Sequence, residues 1–294
     1  MQTQRHFRIG VLAVSLRTPL RALLRRYTTL YRAYQTDGPH EREMRVEVQP
    51  KRPSLRRRKR YEVSVNGYVR YQPSRFQEIL PYIEWAINWE IPEVMPEYLQ
   101  LHASAMEVNG AGVIFPGHSG SGKSTLTAGL LTCGWRYLCD EFALIHAETL
   151  ALYPYPRAIC IKEASYPVMD ALGIKLHGRR HFVSAAKGRV GFLQPLEVRP
   201  DAVGEQCPIR FVVFPKYVEG AEPVMTPISR AQAAFDLHHY CLNLHDCRRL
   251  GVDVLAEMIR GAECYQLTSG EIKATCDLVQ RTLARAGGRQ IRCA

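Results

Sequence analysis

Eight consecutive residues, Gly117-His118-Ser119-Gly120-Ser121-Gly122-Lys123-Ser124, constrain this chain more than any other stretch. A strand-like run, Gly112 to Pro116, leads into them, and a helix-forming run, Thr125 to Leu131, leads out. The spacing is that of a phosphate loop: glycines let backbone amides turn inward, Lys123 reaches outer phosphates, and the Ser124 hydroxyl can hold Mg²⁺. A helix opening there presents its positive end to the anion. Gly117, His118, Ser119, Gly120, Ser121, Gly122, Lys123, Ser124 and Thr125 are therefore the expected site for a nucleoside triphosphate, ATP with Mg²⁺. The competing reading is a glycine-rich strand-to-helix turn that binds nothing, although such a turn has no use for a lysine between Gly and Ser.

With 294 residues, 46% of them hydrophobic, the chain can bury one large core or two smaller ones. It contains no apolar run of membrane-spanning length. Its amino terminus sets Arg5, Arg8 and Arg17 around the short apolar stretch Ile9 to Val14, without a cleavage site, so a cytoplasmic location is expected. The nine cysteines show no metal-ligand spacing and read as reduced, mostly buried thiols.

The net charge of +11 is confined to one end. Residues 1–75 carry 18 Lys and Arg against 5 Asp and Glu, whereas the other 219 carry 21 against 23. The densest part, Lys51 to Arg60, suits an acidic partner or an anionic surface. It reads equally as a solvated loop joining two strands. Nucleic acid is disfavoured, because no aromatic residues interleave with these charges.

Periodicity divides the chain into a basic α+β region over 1–75, a connecting helix over 76–98 and a catalytic region over 99–294. In the first, His6 to Leu16 is expected as one strand, Thr18 to Tyr34 as a helix, Met44 to Val48 as a strand, and Tyr61 to Tyr71 as a hairpin about Asn66-Gly67. In the last, Leu99 to Val108 is expected as one strand, followed by a turn at Asn109-Gly110. Further on, Arg210 to Tyr217 reads as a core strand and Ser229 to Leu242 as a helix. Gly251 to Arg260 reads as a second helix, Cys264 to Leu267 as an edge strand and Glu271 to Ala286 as a closing helix. Asn243, His245 and the pair His238-His239 read as packing or surface residues, the alternative being that they line a pocket.

A strand, Trp135 to Cys139, ends in Asp140-Glu141. The intervening helix of roughly ten residues rises about 15 Å, enough to return the chain so that Asp140 emerges near the glycine loop. A carboxylate there suits a metal or a nucleophilic hydroxyl beside a triphosphate. The same pair would also serve as a helix cap or a solvated turn. His102 alone is read as a satisfied strand histidine.

The order His102, Lys123 after 21 positions and Asp140 after 17 more, with the loop written G-x-S-G-x-G-K-S, resembles the catalytic domain of the bacterial HPr kinase/phosphorylase family. Leu101 to Ala105, Gly134 to Glu141, Phe214 to Tyr217 and Cys264 to Leu267 are similar to the exosortase-associated HPr kinase-related kinase A group, over nearly the whole chain. The resemblance implies an α/β (α+β) fold shared with phosphoenolpyruvate carboxykinases, a P-loop core with a mixed sheet, preceded here by a small α+β region. It makes Lys123 the phosphate clamp, Asp140 the base for an acceptor hydroxyl, and His102 the residue that orients that base. Ser124 and Glu141 become the residues associated with magnesium.

The family's second signature, tied to phosphorolysis, has no counterpart in residues 150–200, so phosphatase activity and HPr as substrate do not carry over. That stretch offers Glu163 as a further magnesium ligand, and Arg157, Lys187 and Arg189 as cations for the transferring phosphate. Each of these also reads as an exposed polar residue. The expected activity is a Mg-ATP-dependent kinase acting on a hydroxyl, a serine of a peptide or protein. A regulatory scaffold with little turnover and a small-metabolite kinase are the alternatives. Homo-oligomerisation is left open.

Overall fold

The computed structural model describes residues 3–40, 42–51, 60–247 and 249–287. They form a mixed α/β structure with three sheets. Six strands make the first, in the order Gln35–Thr36, Thr3–Ile9, Leu12–Thr18, Glu43–Lys51, Arg60–Val65 and Tyr68–Tyr71. Alternation decides which face is buried: Met44, Val46 and Val48 point inward while Arg45 and Glu47 do not. Leu12–Thr18 and Glu43–Lys51 pair in parallel, which requires a crossover, and the helix Arg21–Leu30 supplies it by burying Leu23, Leu24, Tyr27 and Leu30.

Two expectations need correction here. The single strand His6 to Leu16 is a hairpin, because Gly10 at φ +63° reverses the chain, and a Cβ there would lie 2.1 Å from the Pro154 carbonyl oxygen. The helix expected from Thr18 begins only at Arg21 and gives way to a 3-10 turn, Arg32–Tyr34. Of the basic run at 51–60, residues 52–59 lie outside the described residues. The strands flanking it are neighbours, with Lys51 paired to Arg60.

The connecting helix runs Phe76–Val94 and packs against both the first sheet and the strand His177–Ser184. Ile79, Ile83, Ile87 and Ile91 are fully buried, in a core that continues without a break from Phe7 through Leu99 and Leu144 to Cys264. No described helix is long and apolar enough to cross a membrane.

The largest sheet has nine strands and holds the glycine loop. Ala111–Pro116, which leads into the loop, is buried along its whole length, as expected of an apolar strand covered on both faces. It pairs in parallel with Cys207–Tyr217, which pairs in parallel with Glu263–Ser269. On its other side Ala103–Val108 is antiparallel, and Arg136–Cys139 is antiparallel to that. Arg136–Cys139 therefore runs in the same direction as Ala111–Pro116. The residues after both strands emerge at one edge, with the start of Ala103–Val108 between them.

The expected strand Leu99 to Val108 breaks at His102. Tyr98–Leu101 pairs with Ala143–His146 at the far end of the sheet, and Ala103–Val108 joins the loop strand. The backbone N–H of His102 at the break donates to the Tyr240 carbonyl at 2.7 Å. Glu263–Ser269, expected as an edge strand, is covered by Val224–Pro227. The helix expected over Ser229 to Leu242 is Arg230–His238, capped where the Ser229 hydroxyl accepts the N–H of Gln232 at 3.1 Å. Gly251–Arg260 is a helix as expected. Residues 150–200 fold mainly into the third sheet, Ile159–Lys162, Gly188–Leu193 and His177–Ser184.

Candidate active site

The loop begins where Ala111–Pro116 ends and closes on the helix Lys123–Thr132. Gly122 holds φ +94°, and a Cβ there would stand 3.2 Å from that of Tyr217. Only glycine takes this conformation without strain. The Lys123 side chain arches back over the loop, donating to the carbonyls of Gly117 and, at 2.9 Å, of His118. Burial lowers its pKa to about 8, against the opposing pull of Asp140 and Glu141.

Around the loop the chain gathers hydroxyls and charges. The Ser124 hydroxyl donates to Asp140 Oδ2 at 2.9 Å. Thr125 Oγ1 donates to Ser165 Oγ at 3.0 Å, and Lys162 Nζ to Ser119 Oγ at 3.1 Å, so the turn after Ile159–Lys162 closes one flank. Glu163 is exposed in that turn.

Asp140 is 5% exposed, and its Oδ1 is buried without a hydrogen-bond partner among the described residues. Burial, followed by the charge of Glu141, raises its pKa to about 6. Glu141 behaves oppositely: burial alone would raise its pKa, but Lys187 outweighs that and holds it below the ordinary value. Lys187 Nζ donates to Glu141 Oε1 at 2.5 Å, and Asn88 Nδ2 to Oε2 at 3.0 Å. His102 is half-buried, and burial, reinforced by Lys123, lowers its pKa to about 4, so the ring is neutral at pH 7.

Arg157 lies behind this group. Its guanidinium pairs with Glu84 and donates to Asn88 Oδ1, and Glu84 also accepts the Tyr31 hydroxyl at 2.7 Å. Arg157 therefore makes no hydrogen bond to Glu141 itself; Asn88 bridges the two, and the guanidinium charge adds to the lowering of the Glu141 pKa. Arg189 is exposed on Gly188–Leu193, and its side chain makes no hydrogen bond among the described residues. Thus Lys123, Ser124, Asp140, Glu141, Lys187 and His102 converge, whereas Arg157 and Arg189 stand apart from the loop.

Sequence reasoning missed Glu84, Asn88 and Lys162. The signal for the first two lay in the helix itself: they are polar residues four apart on the stripe that carries Ile83, Ile87 and Ile91.

Two cavities lie near the site, one behind Asp140 and one against the loop. One, of about 30 Å³, is lined by Asp140, Glu141, Asn88, Glu84, Arg157 and Cys160 among others. The other, of about 560 Å³, is lined by Gly117, His118 and Ser121 on the loop side.

The donor set suits magnesium. No group of three or more His, Cys, Asp or Glu residues among those described could hold a metal ion. Mg²⁺ is commonly bound by one or two carboxylates together with substrate phosphates and water. A hydroxyl with carboxylates close by, as Ser124 and the Asp140-Glu141 pair offer, would be the protein's share.

No family model matches the chain, and no curated protein matches it either. Among solved structures the chain is similar to the Hpr(Ser) kinase/phosphatase from Coxiella burnetii, with 14% identity and a TM-score of 0.32. The match covers 65% of this chain and 97% of that one.

Proposed function

We propose that the protein is a Mg-ATP-dependent phosphotransferase that moves the γ-phosphoryl group to a hydroxyl, a serine of a peptide or protein. The observation that supports this best is the meeting of Lys123, Ser124 and the unpartnered Oδ1 of Asp140 at one edge of the sheet. Lys123 would exchange its loop carbonyls for phosphate oxygens, and the loop amides would hold the outer phosphates. Asp140, with a pKa of about 6, is matched to accept the acceptor's proton near neutral pH, and Oδ1 is the oxygen free to do so. Neutral His102 would orient that carboxylate without adding charge. Lys187 and Asn88 hold Glu141 ionised beside it, which keeps the field at Asp140 fixed.

Magnesium would be held by Ser124 and Glu141, which leaves Oδ1 of Asp140 to the acceptor. When bound, it supplies neutralisation of charge on the outer phosphates. Incubation with γ-labelled ATP and a cell extract tests the reading. Labelled protein or peptide that disappears with Lys123→Ala and with Asp140→Asn supports it. Label in a small metabolite would instead favour a metabolite kinase, and binding without transfer a regulatory role. Full transfer by Asp140→Asn removes the role assigned to that carboxylate.

A further inference from the structure

We propose that the cavity of about 560 Å³ beside the loop is the nucleoside pocket, taking the purine and ribose of the bound triphosphate against Tyr240. The inference rests on the phosphate-loop reading and adds which side of the loop the nucleotide occupies and what recognises it.

A triphosphate lying along the loop with its reacting end at Asp140 must carry its nucleoside away from that carboxylate. The cavity on the Asp140 side holds about 30 Å³, room for water and no more. The larger one opens on the other side, between Gly117, His118 and Ser121 and the ends of Cys207–Tyr217 and Glu263–Ser269, and its volume is that of a small-molecule site.

Tyr240 lines this cavity, with the His118 ring 4.9 Å from its own and the Phe214 ring at 6.4 Å. Together they make an aromatic wall beside the first residues of the loop, the surface on which a flat base stacks. The polar groups around it suit a nucleoside. Asp236 spends one carboxylate oxygen on Gln232, at 2.9 Å, which leaves the other for ribose hydroxyls or a ring amino group. Gln266 and Thr268 also line it, and the Ser121 hydroxyl is buried without a partner among the described residues.

The test compares two ligands by calorimetry, Mg-ATP and Mg-tripolyphosphate, which share phosphates and differ in the nucleoside. The wild-type protein is expected to bind ATP more tightly. Tyr240→Ala should weaken ATP binding by about tenfold, as loss of one stacking partner does, and leave tripolyphosphate binding in place. Tyr240→Phe should retain ATP affinity. Because the Tyr240 carbonyl holds the His102 N–H, Asp236→Asn serves as a second variant away from that contact, expected to weaken ATP alone. Unchanged ATP affinity in both Tyr240→Ala and Asp236→Asn, or equal loss of both ligands, overturns the inference. Equal binding of the two ligands by the wild type overturns it while the loop reading stands. Failure to bind either ligand removes the loop reading and this inference with it.

Discussion

The hydroxyl of Ser124 donates to Oδ2 of Asp140 across 2.9 Å, joining the first turn of the loop helix to the end of a strand two places away in the sheet. This bond leaves Oδ1 of a buried carboxylate facing no partner among the described residues, and that carboxylate gives the unliganded protein one pH-dependent contribution to its stability.

Asp140 has a folded pKa of about 6 against an ordinary 3.8, so the native state binds its proton more tightly than the unfolded chain does. Stability from this group is then full below the lower value and lost as pH rises through the upper one. The cost at neutral pH is on the order of 3 kcal/mol. Asp140→Asn should therefore make the free protein more stable at pH 7 while abolishing transfer. Urea titrations across this pH range check it: the gap between variant and wild type should open as pH rises and then level off. Equal stability at every pH contradicts the assignment.

Removing Lys187 should act in the opposite direction. Lys187→Met leaves Glu141 with only Asn88, in a position that is largely but not fully shielded from solvent. A loss of about 2 kcal/mol is expected, below the full cost of breaking a deeply buried pair. Denaturant midpoints measure it, and an unchanged midpoint would show that the pair is not coupled to the fold.

Arg157 is buried against Glu84, so its variants are expected to fail as folding variants and not as binding ones. Arg157→Met strands the Glu84 carboxylate and frees Asn88, at a cost of roughly 3–5 kcal/mol. In the fraction that remains folded, KM for ATP should move by less than twofold. A large KM change with normal stability would return Arg157 to the substrate.

Gly122→Ala tests the loop backbone alone. A side chain at φ +94° and 3.2 Å from Tyr217 should cost about 1–3 kcal/mol of strain and weaken nucleotide binding, with the helix behind it intact by circular dichroism. Wild-type binding by this variant would mean that the loop relaxes without consequence.

What could be read from the sequence was local. The glycine loop, the turn at Asn109-Gly110 and the amphipathic helix Gly251–Arg260 each carry their signal within about ten residues, and the structure has them where they were expected. The break at His102 carries no such signal, because nothing nearby says that Tyr98–Leu101 will pair with Ala143–His146, more than forty residues on. The hairpin at Gly10 was hidden for a related reason: one glycine inside an apolar run marks a bulge as readily as a reversal. The third sheet is built from Ile159–Lys162 and two later strands whose charged residues mask the alternation. At the site, the loop and Asp140 were legible from spacing. Asn88 and Glu84 were not, because the helix carries six polar residues among nineteen and nothing local tells the buried ones from the exposed.

The most direct test of the central claim is a crystal structure of the protein with magnesium and a non-hydrolysable ATP analogue. The account predicts the β- and γ-phosphates on the loop amides with Lys123 turned to them, and the Asp140 carboxyl beside the γ-phosphate. An analogue bound elsewhere, or an Asp140 carboxyl facing away from it, would contradict the account.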